Sequence, residues 1–417
     1  MGYGISADER RGLETLSESL LNRCDAPPPD AIVVDLNATI RFCILGADRS
    51  SLCVARALLK RVCGGAPKCS VYVVADDPRR MHAARSALYQ TRYKPLTTVQ
   101  ASAKAAAGYE IIGNRAFKPG ETPLSQDELD AIDVCDVRAA LPWTRMMQSA
   151  RGKHVAISCA IRGLIYLAQS EVFSDSFRLF LWHDDAPYLF PRVWPRAIAD
   201  DICDNEYGEA DQRVTECIRA IQHRRPDTSI WVFTIDTDML LQAIVAPFRT
   251  EGSVTLFLKT ETVDLLKWRL FWGDSDDVRA SSALFLILAG GCDYNTGFTP
   301  YGYFKKDIFT AARQASVSEP FARLSREDDT FSIHLGKFRR ALKGVVRRRP
   351  KKRPRDPFSL EDELSNAVFT IALFSGIQRK TGGPPATRFS FLEQMSADCD
   401  PIEGLFSAPC ELTQLCL

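Results

Sequence analysis

A chain of 417 residues with 46% hydrophobic content can bury a substantial core, in one large domain with insertions or in two. Its formal charge of +1 excludes a global attraction for nucleic acid, so any such binding must come from local patches. No apolar run reaches the roughly 18 residues that a membrane span needs. The amino end mixes Asp8, Glu9, Arg10, Arg11 and Glu14 with short apolar pieces, unlike a secretory signal. Thirteen cysteines without a CxxC pair favour reduced thiols in an intracellular protein over a disulfide frame or a zinc site. Five histidines and no HExxH argue against an imidazole-held metal.

The first residues, MGYGIS, fit the myristoylation pattern through Gly2 and Ser6, a short pattern that often matches by accident; the alternative is an ordinary or buried amino end. After the loop from Ala26 to Asp30, the apolar run Ile32 to Val34 predicts a strand with Asp35 near its carboxyl end. A helix through Cys53, Val54, Ala57, Leu58 and Leu59 follows, then a second strand over Ser70 to Ala75, closed by Asp76 and Asp77. This is a βαβ unit whose acids converge on one sheet edge. A single Asp at a strand end is usually a helix cap; repetition gives it weight. The segment from Arg79 to Lys94 reads as a helix carrying Arg79, Arg80, Arg85 and Arg92. They form either a solvated basic face or a set of phosphate contacts.

Residues 96 to 150 are rich in turn signals and form an excursion from the core, with a helix predicted from Asp127 over DELDAIDVCDVRAAL. Gly152 to Gln169 reads as a long buried helix and Phe177 to Trp182 as a strand, with His183, Asp184 and Asp185 mainly as turn residues, the alternative being a place at the periphery of a metal edge. The stretch from Gly208 to Gln242 is the most informative. It sets Glu209 and Asp211 at the head of a helix whose apolar face is Val214, Ile218 and Ile221. A turn at Pro226 and Asp227 leads into the apolar run Ile230 to Phe233, read as a buried parallel strand, and Asp236 and Asp238 stand where it ends. Another strand spans Val254 to Leu258. Ala283 to Ala289 is a buried helix stopped by Gly290 and Gly291, which present Asp293. Beyond residue 337 the composition turns basic, ending in the run Arg347 to Arg355, a solvated linker or arm. One further helix is predicted over Leu360 to Leu373.

Collected, Asp35, Asp76, Glu209, Asp211, Asp236, Asp238 and Asp293 all lie where one crevice at the carboxyl ends of the strands could share them. Such a set would repel itself unless a cation lay between its members. Oxygen-only ligation suits Mg²⁺ or Mn²⁺. Seven acids exceed what one such ion uses, so two ions about 3.5–4 Å apart are expected, the arrangement that serves phosphodiester hydrolysis.

The motifs VVDLNATI, VYVVADD, GEADQRV, TIDTDML and LAGGCDY occur in the order, and with roughly the spacing, of the acidic motifs of the flap endonuclease superfamily of 5′ nucleases. The chain resembles that family over about residues 30 to 305. Similar patterns occur in 5′–3′ exoribonucleases and in herpesvirus virion host shutoff nucleases. The resemblance implies an α/β, PIN-like nuclease domain with a central, mostly parallel sheet flanked by helices, a helical arch or cap insertion and a helical C-terminal region. On that basis residues 1–95 and 176–335 are two parts of the nuclease domain and 96–175 the arch. Residues 336–357 are a basic linker, and 358–417 a partly helical tail. It also implies that Asp35, Asp76, Glu209 and Asp211 hold one Mg²⁺ or Mn²⁺ and Asp236, Asp238 and Asp293 a second, with Asp77 an alternative to Asp76. Arg79, Arg80, Arg85 and Arg92 would steer the scissile phosphate.

Two departures from the family matter. NTGFTPYGYFKKDIF, from Asn295, lacks the family's glycine-rich duplex-gripping pattern, and no sliding-clamp motif occurs in the tail. They fit a divergent member of the kind found in viruses or protists. They also leave the substrate open between flap or 5′-ended DNA and RNA. The basic run from Arg347 resembles a nuclear-import signal and serves equally well as a phosphate-binding arm. Two rival readings are a catalytically silent nucleic-acid-binding relative and a haloacid-dehalogenase-type phosphatase. The second is suggested by DLNAT at Asp35 to Thr39, but it meets Asn37 where its chemistry needs an acid.

Overall fold

The computed structural model describes residues 28–44, 48–64, 69–76, 95–113, 115–169, 178–183, 186–190, 210–258, 262–295, 310–314, 316, 319–325, 330–343, 366–367, 370–371 and 374–375. Strand β1 (Ala31–Asp35) is buried at every position, as a parallel strand covered on both faces must be. Its side chains alternate: Ala31 and Val33 enter one core, Ile32 and Val34 the other. Asp35 ends the strand and caps the single turn α1 (Leu36–Thr39) by accepting the Ala38 N–H. β2 (Arg49–Ser50) leads into α2 (Ser51–Cys63), which is capped by the Ser50 hydroxyl and closed by Gly64 at a φ of 65°. β3 (Ser70–Val74) follows.

The excursion then comprises α3 (Thr98–Ala106), the hairpin β4 (Glu110–Ile112) and β5 (Arg115–Phe117), α4 (Gln126–Asp130), β6 (Ala140–Leu141) and α5 (Trp143–Met146), and the long α6 (Ala150–Gln169) leads back, packing in the core beside α2. The helix expected from Asp127 is cut short at Asp130. The Asp133 carboxylate takes the Cys135 N–H, and Asp136 takes those of Arg138 and Ala139. Short acidic side chains here divert the backbone donors that a continuing helix would use.

The chain returns to the core through β7 (Arg178–His183), β8 (Ala186–Phe190), α7 (Ala210–Arg224), β9 (Ser229–Phe233), α8 (Asp238–Val245), β10 (Ser253–Phe257), β11 (Thr262–Asp264), α9 (Leu265–Trp272) and α10 (Asp276–Gly290). A small hairpin, β12 (Ala322–Ser325) with β13 (Thr330–Ile333), and α11 (Leu335–Lys343) complete it. Ala367, Ile371 and Phe374, helical and buried in the same core, lie on or beside the helix predicted over Leu360 to Leu373.

The main sheet has seven strands in the order β11-β10-β9-β1-β3-β7-β8. The inner strands from β10 to β7 are parallel, and β11 and β8 close the edges antiparallel. The fold is therefore α/β with a mostly parallel sheet. From β1 the chain steps outward to β3 and β7, then crosses back to β9 on the other side of β1. The strand order reverses between β1 and β9, and ligands of open α/β sheets bind beyond the carboxyl ends at such a point.

Helices cover both faces. Val214, Ile218, Leu240, Ile244, Leu284 and Ile287 share a core with Val33, Tyr72 and Val232, while Val54, Leu58, Ala160 and Leu164 share the other with Val34 and Val73. β9 corrects the expectation of a fully buried strand. Ile230 and Val232 are buried, but Trp231 and Phe233 are half-buried on the opposite face, where Phe233 stacks on Phe257 at 4.7 Å.

Several sequence expectations lie outside the described residues. They are the amino end with Gly2, the basic helix of Arg79, Arg80, Arg85 and Arg92, Asp77, Glu209, the segment after Asn295 and the run Arg347 to Arg355. Among the described residues no helix is long and apolar enough to cross a membrane. The described cysteines, including the buried Cys43, Cys159, Cys217 and Cys292, are free thiols.

Candidate metal centre

β1, β3 and β9 run parallel and in register, so the residues that leave their carboxyl ends emerge side by side. Asp35 leaves β1, Asp76 follows β3, and Asp236 follows β9. The Thr234 hydroxyl donates to Asp35 Oδ2 at 2.9 Å, and its oxygen accepts the Asp236 N–H at 3.0 Å. The Asn37 side chain accepts the Asp76 N–H at 3.0 Å, which fixes the end of β3 against the turn after β1. Asp35 is almost wholly buried, and its carboxyl is pushed from an ordinary 3.8 up to about 7. Burial is the largest cause. The Asp76 carboxylate adds to it, Asp236 adds less, and the donors at Ala38 and Thr234 work the other way.

The remaining acids attach to this seam through helix ends. Asp76 Oδ1 accepts the Ala210 N–H at 2.8 Å, so a carboxylate from β3 sits on the positive end of α7. Asp211, next along that helix, accepts the Gln212 N–H at 2.9 Å through Oδ1 and the Gln242 amide at 2.6 Å through Oδ2. Asp236 Oδ1 accepts the Asp238 N–H at the start of α8, and Asp238 Oδ2 accepts the Asp293 N–H at 2.9 Å. Gly291, at a φ of 79°, turns the chain sharply after α10 and delivers Cys292 and Asp293 to that contact. Burial, then the nearby Asp238 and Asp293 carboxylates, holds the Cys292 thiol well above its ordinary range. Asp35, Asp76, Asp211, Asp236, Asp238 and Asp293 thus form one connected edge. Glu209, two residues before Asp211 in the sequence, lies outside the described residues.

Some side chains that hold this edge have no such role legible in the sequence. Thr234, Asn37 and Gln242 each hold a candidate ligand, and Arg213, fully buried on α7, donates to the Ala75 carbonyl at 2.6 Å just before Asp76. A glutamine inside the apolar helix run MLLQAIV is the one signal present, and it marks Gln242 alone, since such a group is buried only with partners.

Whether this edge suits a cation turns on donors and charge. Among the described residues, no three His, Cys, Asp or Glu side chains stand arranged to hold an ion, and the carboxylates take protein donors instead. The donor set is all oxygen, as hard cations require. The crowding at Asp35 is the kind of repulsion that a cation relieves. Among the described residues, Gln212 Oε1, buried on the residue after Asp211, has no hydrogen-bond partner, so it is a further oxygen that a cation could use. Donor type and charge fit Mg²⁺ or Mn²⁺. No family model matches the chain, and no curated protein matches it in sequence.

Proposed function

We propose that the chain is a divalent-cation-dependent nuclease of the 5′-nuclease type with a PIN-like domain, hydrolysing phosphodiester bonds at the acidic edge. One observation carries the reading: Asp35, Asp76 and Asp236, from three separate strand ends, are close enough for like charge to help hold Asp35 at about 7. Capping accounts for each carboxylate by itself. It gives no reason to crowd them, because three separate caps would avoid the repulsion. A bound pair of Mg²⁺ or Mn²⁺ ions would supply a water of lowered pKa and charge stabilisation for the attacking and leaving oxygens. The chain's own residues do the holding. Asp35, Asp76 and Asp211, with Glu209, offer one set of oxygens, and Asp236, Asp238 and Asp293 the other. Thr234 keeps the two sets in step. The substrate is a nucleic acid, either flap or 5′-ended DNA or RNA.

The test is incubation with Mg²⁺ or Mn²⁺ and, side by side, labelled flap DNA, blunt duplex DNA and 5′-monophosphate RNA. Cleavage of one of them that EDTA abolishes is expected. No cleavage of any, with equal binding in EDTA, would favour a catalytically silent nucleic-acid-binding relative instead. That second reading draws on the engagement of the carboxylates by protein donors.

A further inference from the structure

Gln242 lies one turn beyond Asp238 on α8 and is completely buried among Leu240, Leu241, Ala243 and Ile244. A leucine there would fill similar space without a polar requirement, so a buried amide needs partners on both ends. It has them. Nε2 donates to Asp211 Oδ2 at 2.6 Å, and Oε1 accepts the Thr215 hydroxyl at 2.7 Å. The NH₂ end faces the Asp211 carboxylate oxygen and the oxygen end faces the Thr215 hydroxyl, so donor meets acceptor at both ends. With the Gln212 N–H on Oδ1, both oxygens of Asp211 are held, one from its own helix and one from α8. A second amide makes a similar tie nearby. Gln212 Nε2 donates to the buried Tyr294 hydroxyl at 2.9 Å, joining α7 to the residue after Asp293.

We propose that Gln242 is a positioning residue that aims the Asp211 carboxylate into the acidic edge and fixes the separation between the Asp211 and Asp238 halves of that edge. The inference rests on the cation-dependent reading above. Donors behind ligating side chains set the orientation of those side chains, and their loss typically weakens metal binding about 10–100-fold. The Gln242 oxygen is taken by the Thr215 hydroxyl and its NH₂ by Asp211, so its effect on a cation runs through Asp211.

The experiment measures Mn²⁺ binding by titration calorimetry, without nucleic acid, in the full chain and in two variants. Gln242→Met keeps length and flexibility but removes the donor. Thr215→Val leaves the amide in place and frees its oxygen end. The expected result is a loss of Mn²⁺ affinity of about tenfold or more for Gln242→Met and a smaller loss for Thr215→Val. Each variant's melting midpoint in EDTA is followed separately, because a merely structural role would move that midpoint and leave the affinity of the folded protein unchanged. Should Gln242→Met not fold, Thr215→Val carries the test, and unaltered affinity in it overturns the proposal. Wild-type binding matched by both variants overturns the positioning role alone. No Mn²⁺ binding by the wild type overturns the cation reading and the brace with it.

Discussion

Thr234 joins Asp35 to Asp236: its hydroxyl donates to one carboxylate at 2.9 Å and accepts the main-chain N–H of the other residue at 3.0 Å. The ends of β1 and β9 are therefore tied where the strand order reverses. The Thr39 hydroxyl adds a bond to the Phe233 carbonyl at 3.2 Å along the same seam. Strand pairing brings these two acids, from motifs some two hundred residues apart, to one edge, and Thr234 ties them together there.

Thr234→Val keeps the shape and deletes both bonds. It strips a donor from a buried carboxyl and an acceptor from the Asp236 N–H, so a loss of about 1–3 kcal/mol is expected. Equilibrium urea unfolding in EDTA measures it. A change within about 0.5 kcal/mol, the range of ordinary surface substitutions, would mean that the seam is held by other contacts.

Asp35 gives the protein a pH dependence of definite sign. Its carboxyl binds a proton more tightly in the folded chain, at about 7, than at the ordinary 3.8. Below the lower value both states are protonated and the contribution is complete. Between the two, the unfolded chain has lost its proton and the folded one has not, so stability falls as pH rises, by about 1.4 kcal/mol per unit. Above the upper value the loss levels off, on the order of 4 kcal/mol in all. Asp35→Asn should therefore flatten the profile of melting midpoint against pH in EDTA. It should also melt higher than the wild type at about pH 8. Parallel profiles for the two proteins would reject this account.

How much of this could be read beforehand differs by residue. Asp35, Asp76, Asp236 and Asp293 were legible because each follows a short apolar run or a glycine stop, and local pattern fixes such ends. Thr234 and Gln242 were not. A threonine beside a strand end, or a glutamine in an apolar helix, acquires its role only from a partner brought near by the sheet order. The helix expected from Asp127 failed for a local reason, since Asp133 and Asp136 turn their carboxylates onto the backbone. The half-buried face of β9 failed for a distant one. An apolar run does not reveal how far the helices of the second layer extend over it.

Asp236→Asn separates charge from structure at the acidic edge. The asparagine carbonyl can still accept the Asp238 N–H, so the start of α8 survives while the negative charge is lost. Cleavage in Mg²⁺ should fall by more than about a hundredfold, the upper range for residues that act only behind a ligand. Substrate binding in Ca²⁺, followed by a mobility shift, should persist. Retained cleavage would remove Asp236 from the ligand set.

Gly163→Ala tests the packing that supports β1 from its second face. Propensity alone favours alanine in mid-helix by about 1 kcal/mol. At Gly163, however, a Cβ would stand 2.4 Å from the Ser51 carbonyl oxygen and 2.8 Å from its carbon. Both are main-chain atoms at the start of α2, so no side chain can swing aside. Around the contact Val54, Ala55, Leu58, Ala160, Leu164 and Leu167 are buried, leaving α6 little room to back away. Overpacking of this kind costs about 1–3 kcal/mol. Gly163→Ala should thus unfold at lower urea than the wild type, against the helix preference. A variant that unfolds later would show that α2 and α6 slide apart freely, and that their spacing plays no part in holding Ile32 and Val34 beneath the acidic edge.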